Sequence, residues 1–280
     1  MQQHTSLSGK LGNLRSILLE CGSVCVGYSG GVDSVFLAKY AVDQLGAARV
    51  LAVTGISAAV PEVTWQTARE CAVRFGIPHL EVGTDELSDP AYRANPSNRC
   101  YFCKTELWSV LTPIAAEHGL ETLVDGSNAD DAHDYRPGFK AAQERGVRSP
   151  LMEADLTKQE IREASRALDL PTWDQPSSPC LSSRLPYGLA VTPERLRQVE
   201  RAEAALRELG FREFRVRHHG DCARLEFARA DFNHAMRLAA PIVKGIRAAG
   251  FDKVLLDVEG YRSGRLNEGL KLVQLGGVGH

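Results

Sequence analysis

Four short stretches of this sequence carry residue types and spacings that can do chemistry. The first is Ser29-Gly30-Gly31-Val32-Asp33-Ser34. It follows an apolar run, Val24-Cys25-Val26-Gly27-Tyr28, that reads as a buried strand. It opens a segment in which Val35, Leu37, Ala38, Ala41, Val42 and Leu45 recur with helical spacing. Strand, glycine turn and helix in that order make an anion site. Gly30 and Gly31 let the backbone approach phosphate oxygens, and free N–H groups at the helix start point at them. Ser29 and Ser34 add hydroxyl donors, and Asp33 could hold a magnesium ion that bridges the phosphates.

The stretch lacks the lysine of a Walker A loop and the spacing of a dinucleotide fingerprint. It resembles, residue for residue, the Ser-Gly-Gly-x-Asp-Ser loop of the PP-loop ATP pyrophosphatases. That resemblance implies an adenine nucleotide alpha hydrolase-like α/β fold and cleavage of ATP to AMP and pyrophosphate, which activates a carboxyl or carbonyl oxygen as its adenylate. A second glycine turn, Gly126-Ser127-Asn128-Ala129-Asp130-Asp131, follows a strand at Glu121–Asp125. Its carboxylates Asp125, Asp130 and Asp131 suit either magnesium and ribose or a capped, solvated turn. Downstream, Arg136 or Lys140 could face pyrophosphate or lie on the surface as ordinary charges.

The cysteines form the second and third stretches. Cys180 sits in a proline-rich, serine-flanked loop, Ser177-Ser178-Pro179-Cys180-Leu181-Ser182-Ser183-Arg184, which should expose it. Arg184 nearby would favour the thiolate, the reactive form. Cys100-Tyr101-Phe102-Cys103 is a Cys-x-x-Cys pair that by itself fits half a zinc site, a redox dithiol, part of an iron–sulfur site, or nothing. With Cys180 it would supply three thiolates, enough for a four-iron cluster with one iron left open. Cys25 in a strand and Cys71 on a helix are expected in the core, and Cys21 and Cys222 receive no role.

The fourth stretch is a hairpin, Phe214-Arg215-Val216-Arg217-His218-His219 and Cys222-Ala223-Arg224-Leu225-Glu226-Phe227, joined by Gly220-Asp221. The turn sets Arg217 opposite Arg224 and Arg215 opposite Glu226. Opposed arginines are unfavourable unless an anion such as phosphate sits between them, or the face is solvated and Glu226 offsets the charge.

These stretches must be positioned by alternating elements. Strands at Val50–Thr54 and Pro78–Val82 and helices at Pro61–Phe75, Cys100–His118 and Leu156–Leu168 imply a parallel sheet with crossover helices. Thr157 and Glu160 make a capping box for the last of these. Residues 83–98 and 134–138 read as loops. Pro171–Pro193 lacks periodicity, and a charged helix, Glu194–Leu209, starts the final third. The chain therefore divides into a PP-loop domain, 1–188, and a smaller α+β domain, 189–280. The composition, 44% hydrophobic and 24% charged, is that of a globular protein, and the net charge of −2 offers no basic excess for nucleic acid. Met1–Glu20, with Leu11, Leu14, Ile17 and Leu18 on one face, is no signal peptide, and no apolar run approaches a membrane span. The seven cysteines point to a reducing compartment, hence a cytoplasmic protein.

Together the Ser29 loop, Asn95–Lys104, Gly126–Asp131, Asp134–Gly138, Ser178–Arg184, Arg215–Glu226 and Leu256–Asn267 resemble the LarE family, ATP-dependent sulfur transferases of nickel-pincer nucleotide cofactor biosynthesis and lactate racemase maturation. The resemblance implies adenylation and thiolation of both carboxylates of pyridinium-3,5-biscarboxylic acid mononucleotide. It implies ATP with Mg2+ on Ser29, Gly30, Gly31, Asp33, Ser34, Gly126, Asn128 and Asp130. It places the substrate phosphate near Arg184, Arg215, Arg217 and Glu226, and it implies a homo-oligomer, a hexamer. Family members take sulfur either from a sacrificial cysteine matching Cys180 or through a [4Fe-4S] cluster fed by a sulfide donor. Possession of Cys100, Cys103 and Cys180 resembles the cluster type. Arg262–Asn267 departs from the family pattern and is assigned no role. A PP-loop tRNA thiolase would need a basic surface, an ammonia-using amidotransferase would not need Cys180, and a non-catalytic ATP-binding module would leave the cysteines unexplained.

Overall fold

A computed structural model describes residues 6–133 and 137–262. Arg136 and residues 263–267 of the Leu256–Asn267 stretch lie outside the described residues. The contacts group into two units: the chain through Ser182 with Tyr187–Glu200, and Ser183–Pro186 with Arg201 onward.

The first unit runs α1 (Leu7–Glu20), β1 (Val24–Gly27), α2 (Val32–Leu45), β2 (Val50–Ile56), α3 (Glu62–Phe75), β3 (His79–Gly83), α4 (Pro90–Arg93), α5 (Arg99–Glu117), β4 (Thr122–Val124), α6 (Pro137–Glu144), α7 (Pro150–Glu153), α8 (Lys158–Ala167) and the start of α9 (Pro193–Glu208). Its strands form a parallel sheet in the order β3-β2-β1-β4. Side chains alternate along each strand, so one strand serves two layers. Val24 and Val26 of β1 pack with Leu14, Phe36 and Ile161, whereas Cys25 between them packs with Trp108 and Leu111. Helices α1, α2, α3 and α8 therefore cover one face and α5 the other, as the α/β pattern requires. Cys25 and Cys71 are core residues, and burial pushes their thiols up to about 12 and about 11.

The capping box at Thr157 and Glu160 forms as its spacing predicts. Two loop expectations need correction. Residues 83–98 contain a 3₁₀ turn, Glu86–Ser88, and α4, which is capped by Asp89. In the 134–138 stretch, helix α6 starts at Pro137. Segments this short fall below the window in which helical periodicity is readable, and proline suits a first helical position because its missing N–H would have no partner there.

The second unit contains the end of α9, then β5 (Phe214–His219), β6 (Cys222–Phe227), α10 (Phe232–Arg237), α11 (Ala239–Ala248) and β7 (Lys253–Leu256). The sheet order is β5-β6-β7, with an antiparallel hairpin and a parallel third strand. The hairpin register is the one the Gly220-Asp221 turn predicts, with Arg217 opposite Arg224 and Arg215 opposite Glu226. Among the described residues no helix is long and apolar enough to cross a membrane.

Gly30 has φ +76°, and a Cβ there would lie 2.6 Å from the Thr64 carbonyl oxygen and 2.9 Å from the Ala68 Cβ. Gly31 has φ −79° and 3.5 Å of clearance to Ser29 Oγ. Gly30→Ala should therefore cost about 1–3 kcal/mol in strain, whereas Gly31→Ala should cost under about 1 kcal/mol. Urea unfolding midpoints of the two variants check the difference.

Candidate functional site

Where the strand order of a parallel sheet reverses, two loops diverge and leave a crevice at the strands' carboxyl ends. Here that point lies between β1 and β4, which are hydrogen-bonded neighbours. The turn after β1 carries Ser29–Ser34, and the turn after β4 carries Gly126–Asp131. The two turns touch: a Cβ on Gly126 would meet the Ser34 amide nitrogen at 3.1 Å, so glycine is needed for this approach. Ser34 Oγ donates to the Gly31 carbonyl at 3.1 Å and accepts from the Ser29 N–H at 3.2 Å. The Ser29 and Ser34 hydroxyls lie 3.1 Å apart. These bonds hold the loop open around the first N–H groups of α2.

Asp33, in the first turn of α2, accepts from Asn128 Nδ2 at 3.4 Å and forms an ion pair with Lys158 Nζ. Asp125 accepts from the Ser127 N–H at 3.0 Å and from Ser149 Oγ at 2.8 Å. Asp130 accepts from the Lys158 N–H at 2.9 Å, and Asp131 from the Asn128 N–H at 3.1 Å. Of the carboxylates considered for magnesium, Asp33 is thus the one at the mouth of the loop, while the other three shape the second turn. Lys158 escaped the sequence reading. Its signal was there: a lysine directly after the Thr157 cap sets a positive charge against the positive end of its own helix dipole. Asp33 offsets that cost. Lys140, on α6, pairs with Glu144 at 3.8 Å.

The thiols gather in the same unit. The seven cysteines form no disulfide. Cys100 and Cys103 stand in the first turns of α5, with Asn98 at the helix cap position. Cys100 opens to solvent and Cys103 and Cys180 are half-buried. Crowding by protein on the closed side, and then the charge of Cys180, push the Cys100 thiol up, against the pull of Arg99 and Lys104. Burial, and then the nearby Glu86, raise the Cys103 thiol, with smaller contributions from Cys180 and Cys100. The three sulfurs therefore lie within electrostatic reach of one another. Among the described residues, no three His, Cys, Asp or Glu side chains form a ready-made ion site. Within this unit Arg99 lies close enough to Cys180 to feel its charge.

In the second unit the arginine face of the hairpin is buried rather than solvated. Arg215 and Arg217 are buried and Glu226 fully so. Glu226 supplies the anion between the opposed arginines: Arg217 Nε donates to it at 3.0 Å and Arg224 Nη2 at 3.1 Å. Arg217 also donates to the Ser183 carbonyl at 2.8 Å. Arg184 forks onto Glu203 at 2.8 and 3.0 Å, with Arg207 reaching the same carboxylate at 3.4 Å. Burial works to raise the Glu203 carboxyl, but Arg184, Arg215 and Arg207 outweigh it and hold the group below the usual carboxylate range. Arg215 packs its guanidinium 4.6 Å from the Tyr261 ring.

Comparison with known proteins adds independent findings. Residues 13–95, which include the Ser29 loop, match the NAD synthase family. The chain is 37% identical over 270 residues to the pyridinium-3,5-bisthiocarboxylic acid mononucleotide synthase of Lactiplantibacillus plantarum, covering 96% of this chain and 98% of that protein. It is 45% identical over 263 residues to an uncharacterized protein of Synechocystis, covering 93% of this chain and 98% of the relative. A Methanocaldococcus jannaschii protein, also uncharacterized, is 26% identical over 240 residues, 86% of this chain and 91% of its own.

The Arg184–Glu203 pair is 2% exposed on each side. Arg184→Ala leaves a buried carboxylate short of its main partner and should cost about 3–5 kcal/mol, whereas Arg184→Met combined with Glu203→Leu should recover most of that loss. Urea unfolding of the single and double variants reads the two effects.

Proposed function

The chain belongs to the LarE family, PP-loop ATP-dependent sulfurtransferases of cofactor biosynthesis, and from that premise we propose that it converts the carboxylates of pyridinium-3,5-biscarboxylic acid mononucleotide to thiocarboxylates. The observation that supports this reading best is the presence, in one unit, of the Ser29–Ser34 loop and of Cys100, Cys103 and Cys180, none of them in a disulfide.

In this reading the N–H groups of Gly30, Gly31 and the start of α2, with the Ser29 and Ser34 hydroxyls, bind the phosphates of ATP. Asp33 would hold Mg2+: a carboxylate at the loop mouth is a hard oxygen ligand of the kind magnesium takes alongside substrate phosphates. Gly126, Asn128 and Asp130 line the nucleotide from the second turn. A substrate carboxylate oxygen attacks the α-phosphorus, the bond to pyrophosphate breaks, and the acyl adenylate forms. A sulfur nucleophile then adds to the acyl carbon, AMP departs with the electron pair of the broken C–O bond, and a thiocarboxylate remains. A second round treats the other carboxylate.

Cys100, Cys103 and Cys180 would hold a [4Fe-4S] cluster, and their chemistry fits: thiol donors, no disulfide, one shared neighbourhood. When bound, such a cluster supplies an iron without a protein ligand, open to an external sulfide donor. Without it, the Cys180 thiolate would add to the acyl carbon in place of external sulfide, and AMP would leave. Loss of the Cys180 Cα proton with cleavage of its Cβ–S bond would then release the thiocarboxylate and leave dehydroalanine, once per chain. Arg184, Arg215 and Arg217, with Glu226 orienting Arg217, would take the substrate phosphate in the 189–280 domain. The working form would be a cytoplasmic homo-hexamer, with residues 1–188 as the nucleotide domain.

The test begins with iron and acid-labile sulfide after anaerobic purification, expected at about four of each per chain. Pyrophosphate release is then followed with ATP, sulfide and the carboxylated pyridinium mononucleotide. Release that depends on the mononucleotide, with sulfur incorporated over several turnovers, is the expected result. ATP binding without release would reduce the chain to a nucleotide-binding module, and release without iron after reconstitution would return Cys180 to a single-use donor.

A further inference from the structure

We propose that Arg99 is the built-in counter-cation of the sulfur centre, clamping the Cys180 loop to the start of α5 and facing the sulfur atoms of Cys100 and Cys180. This inference rests on the sulfurtransferase reading above, which assigns Arg99 nothing.

Arg99 is only 3% exposed. A guanidinium stays charged in protein, so burying it demands an anion or a heavy cost. Yet among the described residues no carboxylate pairs with it. Its hydrogen-bond acceptors are neutral: the Asn95 amide oxygen and, at 2.9 Å, the Ser182 carbonyl. The Tyr187 ring, 6.0 Å from the guanidinium carbon, adds a π-face. The groups of opposite sign that act on Arg99 are the thiols of Cys180 and Cys100 and the hydroxyls of Tyr92 and Tyr187. Arg99 also directly precedes Cys100 at the start of α5. A buried arginine with sulfur in the place of a carboxylate is an unbalanced charge until an anion is present there, which suits thiolates and any anionic sulfur group they carry.

The surroundings hold this guanidinium still. Asn95 adopts φ +54°, a left-handed conformation that asparagine tolerates better than most residues. It donates through Nδ2 to the Leu189 carbonyl at 2.8 Å, while its own carbonyl accepts from the Gly188 N–H at 2.9 Å. The Tyr92 hydroxyl, on α4, meets the Ser182 hydroxyl at 2.6 Å. Arg99, the residue before Cys100, thus ties the start of α5 to Ser182, two residues after Cys180. Other charges act here too: Lys104 lies near Cys100 and Cys103, and Glu86 opposes them beside Cys103. Arg99 is the buried one among the cations.

The test uses the reduced, iron-free full chain and compares two alkylating reagents, neutral iodoacetamide and anionic iodoacetate, on Cys180 and Cys100, with peptide mass mapping. A fixed positive charge beside a sulfur favours the anionic reagent, so the iodoacetate-to-iodoacetamide rate ratio reads charge, while a loosened structure raises both rates together. In the wild-type chain the ratio at Cys180 should exceed that of free cysteine about fivefold. Arg99→Gln should bring it to the free-cysteine value, and Arg99→Lys should keep most of the charge effect. A wild-type ratio no higher than that of free cysteine overturns the proposal without any variant, and so does an unchanged ratio in folded Arg99→Gln protein. The readout needs neither cluster nor turnover, so its failure is distinct from failure of the pyrophosphate assay.

Discussion

The parallel pairing of β1 with β4 is the interaction on which the nucleotide loop depends. Because β4 comes from far along the chain yet lies against β1, the turns that follow the two strands emerge side by side. Gly126 then packs on the backbone of Ser34, and Asn128 reaches Asp33. Moving β4 elsewhere in the sheet would leave the Ser29–Ser34 loop with its local hydrogen bonds but without the second wall. The start of α8 completes the enclosure by delivering Lys158 to Asp33.

Charge in low-dielectric surroundings is the second constraint, and the two units meet it differently. In the second unit two buried arginines are set against buried carboxylates, Arg184 on Glu203 and Arg217 on Glu226. These are geometrically tight pairs in which removing one member strands the other. In the first unit Arg99 has carbonyl and amide oxygens and neighbouring sulfurs instead.

Local patterns were legible where the chain's own periodicity or turn chemistry decides the outcome. The Gly220-Asp221 turn set the hairpin register because a two-residue turn leaves one pairing. Thr157 and Glu160 announced the start of α8 because capping is a contact across four residues. Short segments such as α4 were invisible, since four residues cannot show a helical period. The status of the arginine face was equally hidden: alternation gives the faces of a strand, but not which of them is covered.

The glycine loop after β1, the α/β alternation and the family were legible in the chain alone, because these reside in contiguous residues whose types and spacing have few other uses. Only the tertiary structure decided which distant residues complete the sites. Lys158 meets Asp33 across 125 positions, and Arg99 meets the Ser182 carbonyl across 83. Arg184, close to Cys180 in the chain, is committed to Glu203. The physical reason is that ion pairs and buried hydrogen bonds act over a few ångströms of space, while the chain's connectivity specifies nothing about which remote side chains will share them.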